Sequence, residues 1–416
     1  MRIDRLVVLG FAAAAAGCGR PTPTSGPTRL RIDAPSVLST VNGNSIHSSG
    51  FGSSVSAAPE GDLLLALTDR GPNYDVAEDT KAFPVPGYSP RVGWFRRAGS
   101  GLTKVRIVSL SNADGTPITG LPSPTEQGGT GEIAVALDGT RLPADSTGLD
   151  PEGIDALRDG TFWIADEYGP NLVHFDSTGR TLERINPRTT GRALPAVFAK
   201  RRPNRGMEGL TGTPDGATLV GLMQSPLDNP KAAGRASIHA RILVFEPATG
   251  RSRQYLYPLD SAAFFTSDIV ALGAQSYLVI EHDALPVGPN PGSTQKKIFR
   301  IDLAGATDVS DSSNGATGLL VGGKTVEQLS PAELAAANIR PVTKTLVADL
   351  LALGYPHDKP EGLVVLGPSE IGVINDDDFG ITDGPTGKPV PKILPTTNTL
   401  DASELWLVRL ATPLKP

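Results

Sequence analysis

Cysteine is all but missing: Cys18 is the single one in 416 residues. An intrachain disulfide, a thiolate zinc site and thiol catalysis in the folded body are therefore excluded. Histidine is scarce, with five scattered residues, which disfavours a histidine zinc site. No Gly-x-Ser-x-Gly elbow occurs, which argues against an α/β-hydrolase-type serine enzyme. No apolar run is long enough for a permanent membrane helix. No basic stripe is visible and the formal charge is −6, so nucleic acid is not expected as a partner. Helical periodicity of apolar residues is almost absent.

Glycine (47) and proline (37) are abundant instead. Short apolar runs alternate with Gly, Pro, Asn and Asp turns, the pattern of an all-β chain. One stretch reads as a short helix. Ser330 sits at the N-cap, Pro331 at the first position and Glu333 in the capping-box place. Leu346 to Leu353 reads as a second helix or a strand.

The N-terminus accounts for the cysteine. Arg2 and Arg5 precede the apolar run Leu6 to Ala16, and Ala15-Ala16-Gly17-Cys18 follows. This resembles a bacterial lipoprotein signal, in which the cysteine after small residues is lipidated. An ordinary signal peptide is the plainer alternative. The expected organisation is a signal over residues 1–17, a Pro/Thr/Ser/Gly-rich tether over 18–34 and a folded domain over 35–412. The expected place is the bacterial cell envelope, with lipid as the sole membrane attachment and a monomeric body.

A self-similar hairpin recurs along the domain. Its copies begin Asp150-Pro151-Glu152-Gly153-Ile154, Met207-Glu208-Gly209-Leu210, Ser267-Asp268-Ile269 and Pro360-Glu361-Gly362-Leu363. Each continues through a Gly-containing turn into a second apolar strand. Ser53 to Asp69 is a looser fifth copy. Outer strands follow several copies, and four strands per unit make a propeller blade. A further blade is expected between residues 90 and 140. The spacing predicts six blades, with five or seven as alternatives, and a helical insertion around 306–345. Two stacked sandwiches are the competing architecture. A ring requires that Leu405 to Leu410 complete a blade begun near the N-terminus.

In a propeller, inner strands line a central channel. The leading acids Glu152, Glu208, Asp268 and Glu361 are thus expected to converge on one axis, where repulsion and burial favour a bound hard cation. Ca²⁺ is the expected ion. The returning strands end in Asp69, Asp166 with Glu167, Gln224, Glu281, and Asn375 with Asp376, which should ring the same mouth. Plain turn chemistry is the alternative reading of these acids. The expected metal set is Glu152, Asp166, Glu208, Asp268, Glu361 and Asp376. Glu167 or His282 is the expected general base, and Arg205 and Lys359 the expected anion clamp. These two cations could equally serve to neutralise the acids. Asp376-Asp377-Asp378 is a second candidate cation site, or a solvated charge run. Gly318 to Thr325 fits the P-loop pattern in letters, but its polar, turn-like flanks argue against a phosphate cradle.

Asp150-Pro151-Glu152-Gly153-Ile154 through Trp163-Ile164-Ala165-Asp166-Glu167-Tyr168-Gly169-Pro170, Asn204-Arg205-Gly206-Met207-Glu208-Gly209-Leu210 and Pro360-Glu361-Gly362-Leu363 together resemble the phytase-like "esterase-like activity of phytase" family, over about residues 36 to 411. The resemblance implies a β-propeller and a phosphoester or ester hydrolase. The Asp-Asp-Pro-Ala segment of calcium-dependent propeller phytases is not found. The Glu-Gly strand openings are also similar to those of six-bladed lactonases and gluconolactonases. A metal-dependent hydrolase of a small anionic or ester substrate is therefore expected. A lactonase, or a non-catalytic binding propeller with structural calcium, is the alternative.

Overall fold

The structure, a computed structural model, describes residues 28–32, 35–99, 101–384 and 387–415. The signal segment and Cys18 lie outside these residues. Among the described residues no helix is long and apolar enough to cross a membrane.

Five four-stranded antiparallel units make the body. Blade one is Ser54–Ala57, Leu63–Leu67, Arg91–Ala98 and Gly101–Ser109. Blade two is Pro151–Ala156, Phe162–Asp166, Asn171–Phe175 and Thr181–Ile185. Blade three is Met207–Gly212, Leu219–Met223, His239–Phe245 and Ser252–Pro258. Blade four is Phe265–Ala271, Ser276–His282, Lys296–Asp302 and Thr343–Asp349. Blade five is Pro360–Gly367, Glu370–Asn375, Glu404–Arg409 and, from the other end of the chain, Thr28–Ile32.

The ring is closed twice. Inner strands contact one another in the order one, two, three, four, five and back to one. Strand Thr28–Ile32 pairs antiparallel with Glu404–Arg409, with Leu30 opposite Leu405. It also touches blade one's outer strand in parallel, Arg31 opposite Gly101. The expected closure by the C-terminal strand is thus seen. It begins inside the stretch expected as tether.

Five blades rather than six close the ring. The blade expected between residues 90 and 140 does not form. Gly101–Ser109 is blade one's outer strand, and Ile133–Val135 pairs with Thr80–Ala82 in a small separate sheet. That sheet, with Tyr74–Ala77, shares a core of Val41, Ile46, Tyr74, Tyr88, Phe379 and Ile381 and roofs one side of the ring.

Strand periodicity explains why the blade strands read as unbroken apolar runs. Alternate side chains face opposite neighbours, and each blade is buried on both faces. In blade one, Leu63, Leu65 and Leu67 pack with Ile154, Phe162 and Val173 of blade two. The intervening Leu64 and Ala66 pack with Val364, Ile374 and Leu405 of blade five. Blades two and three, three and four, and four and five meet through equivalent cores.

The insertion between blade four's last two strands carries the expected helix, Pro331–Ala336, with the Ser330–Glu333 capping box intact. The P-loop-like letters form a hairpin, Leu320–Val321 against Lys324–Thr325. Lys324 pairs with Glu333 at 2.6 Å. Buried Arg241 of blade three holds the insertion through Glu327, at 2.7 Å. Residues Thr343–Asp349 are a strand, which settles the start of the 346–353 stretch.

Candidate functional site

The Glu-Gly repeat has a geometric origin. In blades two, three and five the inner strand is bulged between Pro151 and Gly153, Met207 and Gly209, and Pro360 and Gly362. The glutamate is the extra residue of each bulge. A bulge re-aims a side chain, here into the mouth of the channel. The following glycine lies against the next inner strand. A Cβ on Gly153 would stand 2.7 Å from Leu210 N, one on Gly209 2.7 Å from Ile269 N, and one on Gly362 2.9 Å from Val55 N.

A cavity of about 290 Å³ opens at this mouth. Its walls include Asp69, Arg70, Asp150, Glu152, Glu167, Arg205, Glu208, Gln224, His282, Lys359, Glu361, Asp376 and Asp378. Four expected metal ligands, Glu152, Glu208, Glu361 and Asp376, therefore line it, as do all four expected catalytic residues.

Two expected ligands lie elsewhere. Asp268 is one residue past the glutamate position of its bulge. Ile269 pairs opposite Val279 as Ile154 pairs opposite Ile164, so Ser267 holds the glutamate position. The Asp268 carboxylate instead accepts from Leu363 N at 2.9 Å, Ile269 N at 2.8 Å and Ser54 Oγ at 3.1 Å, tying blades four, five and one on the axis. Asp166 is likewise occupied. It accepts from Asp150 N at 2.7 Å, Gly169 N at 2.9 Å and the Asn171 amide. Glu281 and Asn375 also hold loops. In blades two to five a residue at the end of the second strand or just after it faces the cavity: Glu167, Gln224, His282 and Asp376.

Asp150 joins the set without having been expected as a ligand. Oxygens of Asp150, Glu152 and Glu167 lie within 4.8 Å of one another. Its signal was in plain view, an acid two residues before the bulge glutamate, but only blade two has one there. Arg70 fixes it, with Nε 3.1 Å from Oδ2 and its backbone N–H donating to Oδ1 at 3.2 Å. Arg70 is pinned in turn by Glu132 at 2.8 Å and Tyr168.

The electrostatics record crowding. Burial, then Asp150, Glu208, Glu361 and Glu167, push Glu152 well above the usual carboxylate range. Burial and then Asp150 raise Glu167 to about 8. Burial, then Glu167 and Glu361, raise Glu208. Burial brings Glu361 to about 7 even beside Lys359. Glu152 accepts no hydrogen bond from the described residues, and Glu208 Oε2 is buried without a partner. Bare, converging carboxylate oxygens suit a hard cation, so the donor set fits one.

The acids on the far side are already neutralised. Lys359 lies 3.0 Å from Asp376 and 2.6 Å from Asp378. Lys392 lies 2.7 Å from Asp378 and 2.9 Å from Asp358. Two ammonium groups thus fill the place of a cation in the Asp376–Asp378 run, and Lys359 is committed to carboxylates. Asp376 lines the cavity as a partner of Lys359. Arg205 is freer. Its guanidinium stacks 3.8 Å from the Phe265 ring centre and donates one bond, at 3.0 Å, to Gln224.

His282 is in the neutral form. Its Nδ1 donates to the Asp283 carbonyl at 2.8 Å, which leaves a lone pair on the buried, unpartnered Nε2. Burial and then Lys296 push it down to about 3.

Comparison with known proteins adds the following. The sequence pattern of the family described as "Phytase-like: Esterase-like activity of phytase" matches residues 46–379. An uncharacterized secreted protein of Arthroderma benhamiae is 33% identical over 184 residues, which is 36% of this chain and 35% of that relative. The match thus spans about a third of the relative's length. Among solved structures, a luciferin-regenerating enzyme aligns over 94% of this chain and 98% of its own, at 8% identity and TM-score 0.36. The PQQ-bound aldose sugar dehydrogenase of Streptomyces coelicolor aligns over 92% and 99%, at 11% identity and TM-score 0.37. A putative 6-phosphogluconolactonase of Bacteroides uniformis aligns over 94% and 98%, at 12% identity and TM-score 0.34.

Proposed function

The chain belongs to the phytase-like family, and on that premise we propose that it is a cation-dependent hydrolase of small phosphoester or ester substrates, acting at the propeller mouth. The observation that carries the reading is the meeting of Asp150, Glu152 and Glu167 within 4.8 Å in a cavity that also holds Arg205.

Asp150, Glu152 and Glu167 would hold the ion, with Glu208 and Glu361 beside them. Such an ion supplies Lewis acidity towards a substrate oxygen and a lowered pKa for water. Ca²⁺ suits carboxylate oxygens without nitrogen or sulfur donors. Arg205 presents its remaining N–H groups to an anionic substrate, a geometry guanidinium serves well. His282 holds no proton on Nε2 at neutral pH. It therefore positions a water or hydroxyl by accepting its hydrogen bond. Lys359 and Arg70 offset the acids and keep them in place.

The secreted relative and the lipoprotein-type leader support an exported protein attached through Cys18. Mass spectrometry of membrane-purified protein tests the attachment, and an unmodified Cys18 would rule it out.

Turnover of aryl phosphates and aryl esters should vanish with chelator and return with Ca²⁺. Glu152→Gln should cut it by about 100-fold or more. Full activity in the Glu152→Ala, Glu208→Ala double variant would remove the proposed site. Chelation that lowers the melting temperature, with no turnover on either panel, would make this a binding propeller.

A further inference from the structure

The chain is acidic overall, yet one part of its rim is not. Blade five's outer strand, Thr28–Ile32, and blade one's outer strand, Gly101–Ser109, lie side by side where the ring closes. Together they carry Arg29, Arg31, Lys104 and Arg106, and neither strand contains an acid. All four bases are exposed, as are Val105 (46%) and Ile107 (37%) between and beside them. The patch is assembled from segments far apart in the chain, so no linear stretch reveals it.

Two of the bases are braced on aromatic rings. Arg106 lies 3.6 Å from the Trp94 ring centre and Arg29 5.2 Å from that of Trp406. Such stacking holds a guanidinium outward without removing its charge. Among the described residues Glu404 is the carboxylate paired with the patch, 2.5 Å from Arg31 and 4.0 Å from Arg29. It is shared between them and with His357 at 3.6 Å. Lys104 and Arg106 have no carboxylate partner among the described residues.

We infer that this joined outer edge is a docking surface for an anionic lipid bilayer. Basic side chains interleaved with exposed aliphatic ones match the headgroup and acyl layers of such a surface. The position of the edge points the same way. The described residues begin at Thr28, within this patch, and the 27 preceding residues of the sequence include the apolar run and Cys18. A chain tethered there meets the membrane with this edge first. A lipid anchor at Cys18 would hold the chain at the membrane, and a basic patch is the kind of second contact that fixes which side of the body faces it. Edge-on docking would leave the propeller mouth open sideways to solvent.

The test uses the chain from residue 18 with Cys18→Ser, so that no acyl group contributes. It is sedimented with sucrose-loaded vesicles of phosphatidylcholine, with or without 30% phosphatidylglycerol (a chosen composition, about the anionic fraction the argument needs). Binding should require phosphatidylglycerol and weaken with added salt. Lys104→Glu with Arg106→Glu should weaken it by about five-fold or more per base, with an unchanged melting temperature. The Lys104→Ala, Arg106→Ala pair should give a smaller loss and guards against misfolding of the charge reversal. Equal binding to neutral vesicles, no response to either pair, or equally tight capture by soluble heparin would overturn the inference. None of these outcomes bears on the hydrolase reading, which is measured in solution.

Discussion

At Gly209 the backbone of one blade touches the backbone of the next. A methyl group there would stand 2.7 Å from Ile269 N and 2.9 Å from Asp268 Cα, neither of which can rotate away. Gly209→Ala should therefore push the inner strands apart and cost about 1–3 kcal/mol. It should also lower the proposed metal-dependent activity, because Glu208 is the adjacent residue. Gly367→Ala, with nothing within 4 Å, should change stability by no more than about 0.5 kcal/mol. Urea denaturation midpoints of the two variants compare them, and equal midpoints would mean that the inner strands do not abut. The same bulges explain what the sequence concealed. Glu152, Glu208 and Glu361 could be found by repetition alone. Glu167, His282 and Asp376 sit one place beyond the structural Asp166, Glu281 and Asn375, and Asp268 one place beyond the glutamate position of its bulge. Strand periodicity is two, so an offset of one residue exchanges a cavity-facing side chain for a structural one.

Among the strand elements, the Glu404–Arg409 strand has a titratable seam. His357 lies 2.7 Å from Asp401 through Nδ1, and its Nε2 accepts from the Trp406 indole at 3.3 Å only in the neutral form; protonated, it turns that N–H to Glu404, 3.6 Å away. Burial alone would depress this histidine, but the hydrogen bonds to Asp401 and Glu404 outweigh it and hold it above its ordinary 6.5. A raised folded value means the folded state binds the proton more tightly than the unfolded chain. The resulting stability is complete below pH 6.5 and is lost as the pH rises through the folded value. His357→Asn should therefore be destabilising at pH 5.5, and its deficit should shrink towards alkaline pH. Melting curves of both proteins across pH 5 to 9 measure this, and a deficit that grew with pH would refute the assignment. Elements elsewhere were legible to different degrees. The helix at 331–336 could be read from its capping box, since that chemistry is local. The small roof sheet could not, since Thr80–Ala82 and Ile133–Val135 find each other only across blade one's two outer strands, Arg91–Ala98 and Gly101–Ser109.

For the molecule as a whole, the repeat points to a propeller of six blades, with five or seven as alternatives, and the described residues form five. The wide gap between Asp268 and Glu361 correctly signalled an insertion. The equally wide stretch before Asp150 looked the same and was read as an extra blade, because loops and outer strands both alternate apolar and turn residues. Closure decides the count, and closure rests on five residues. Thr28–Ile32 supplies the fourth strand of blade five, buries Leu30 to 2% exposure in the core between blades five and one, and bridges to Gly101 and Leu102. Without it the Glu404–Arg409 strand becomes a bare edge, a template for association. Leu30→Ala should cost about 2–5 kcal/mol, as for other buried leucines. A chain starting at residue 33 should melt well below one starting at residue 28 and should self-associate as its concentration rises. Because blade five also carries Glu361 and Lys359, the truncated chain should lose, together with closure, the stabilisation by Ca²⁺ that the proposed site predicts. Calorimetry with and without Ca²⁺, paired with sedimentation velocity, reads both effects. A truncated chain that stayed monomeric, and melted within a degree or two of the intact one, would mean the ring holds without its terminal latch.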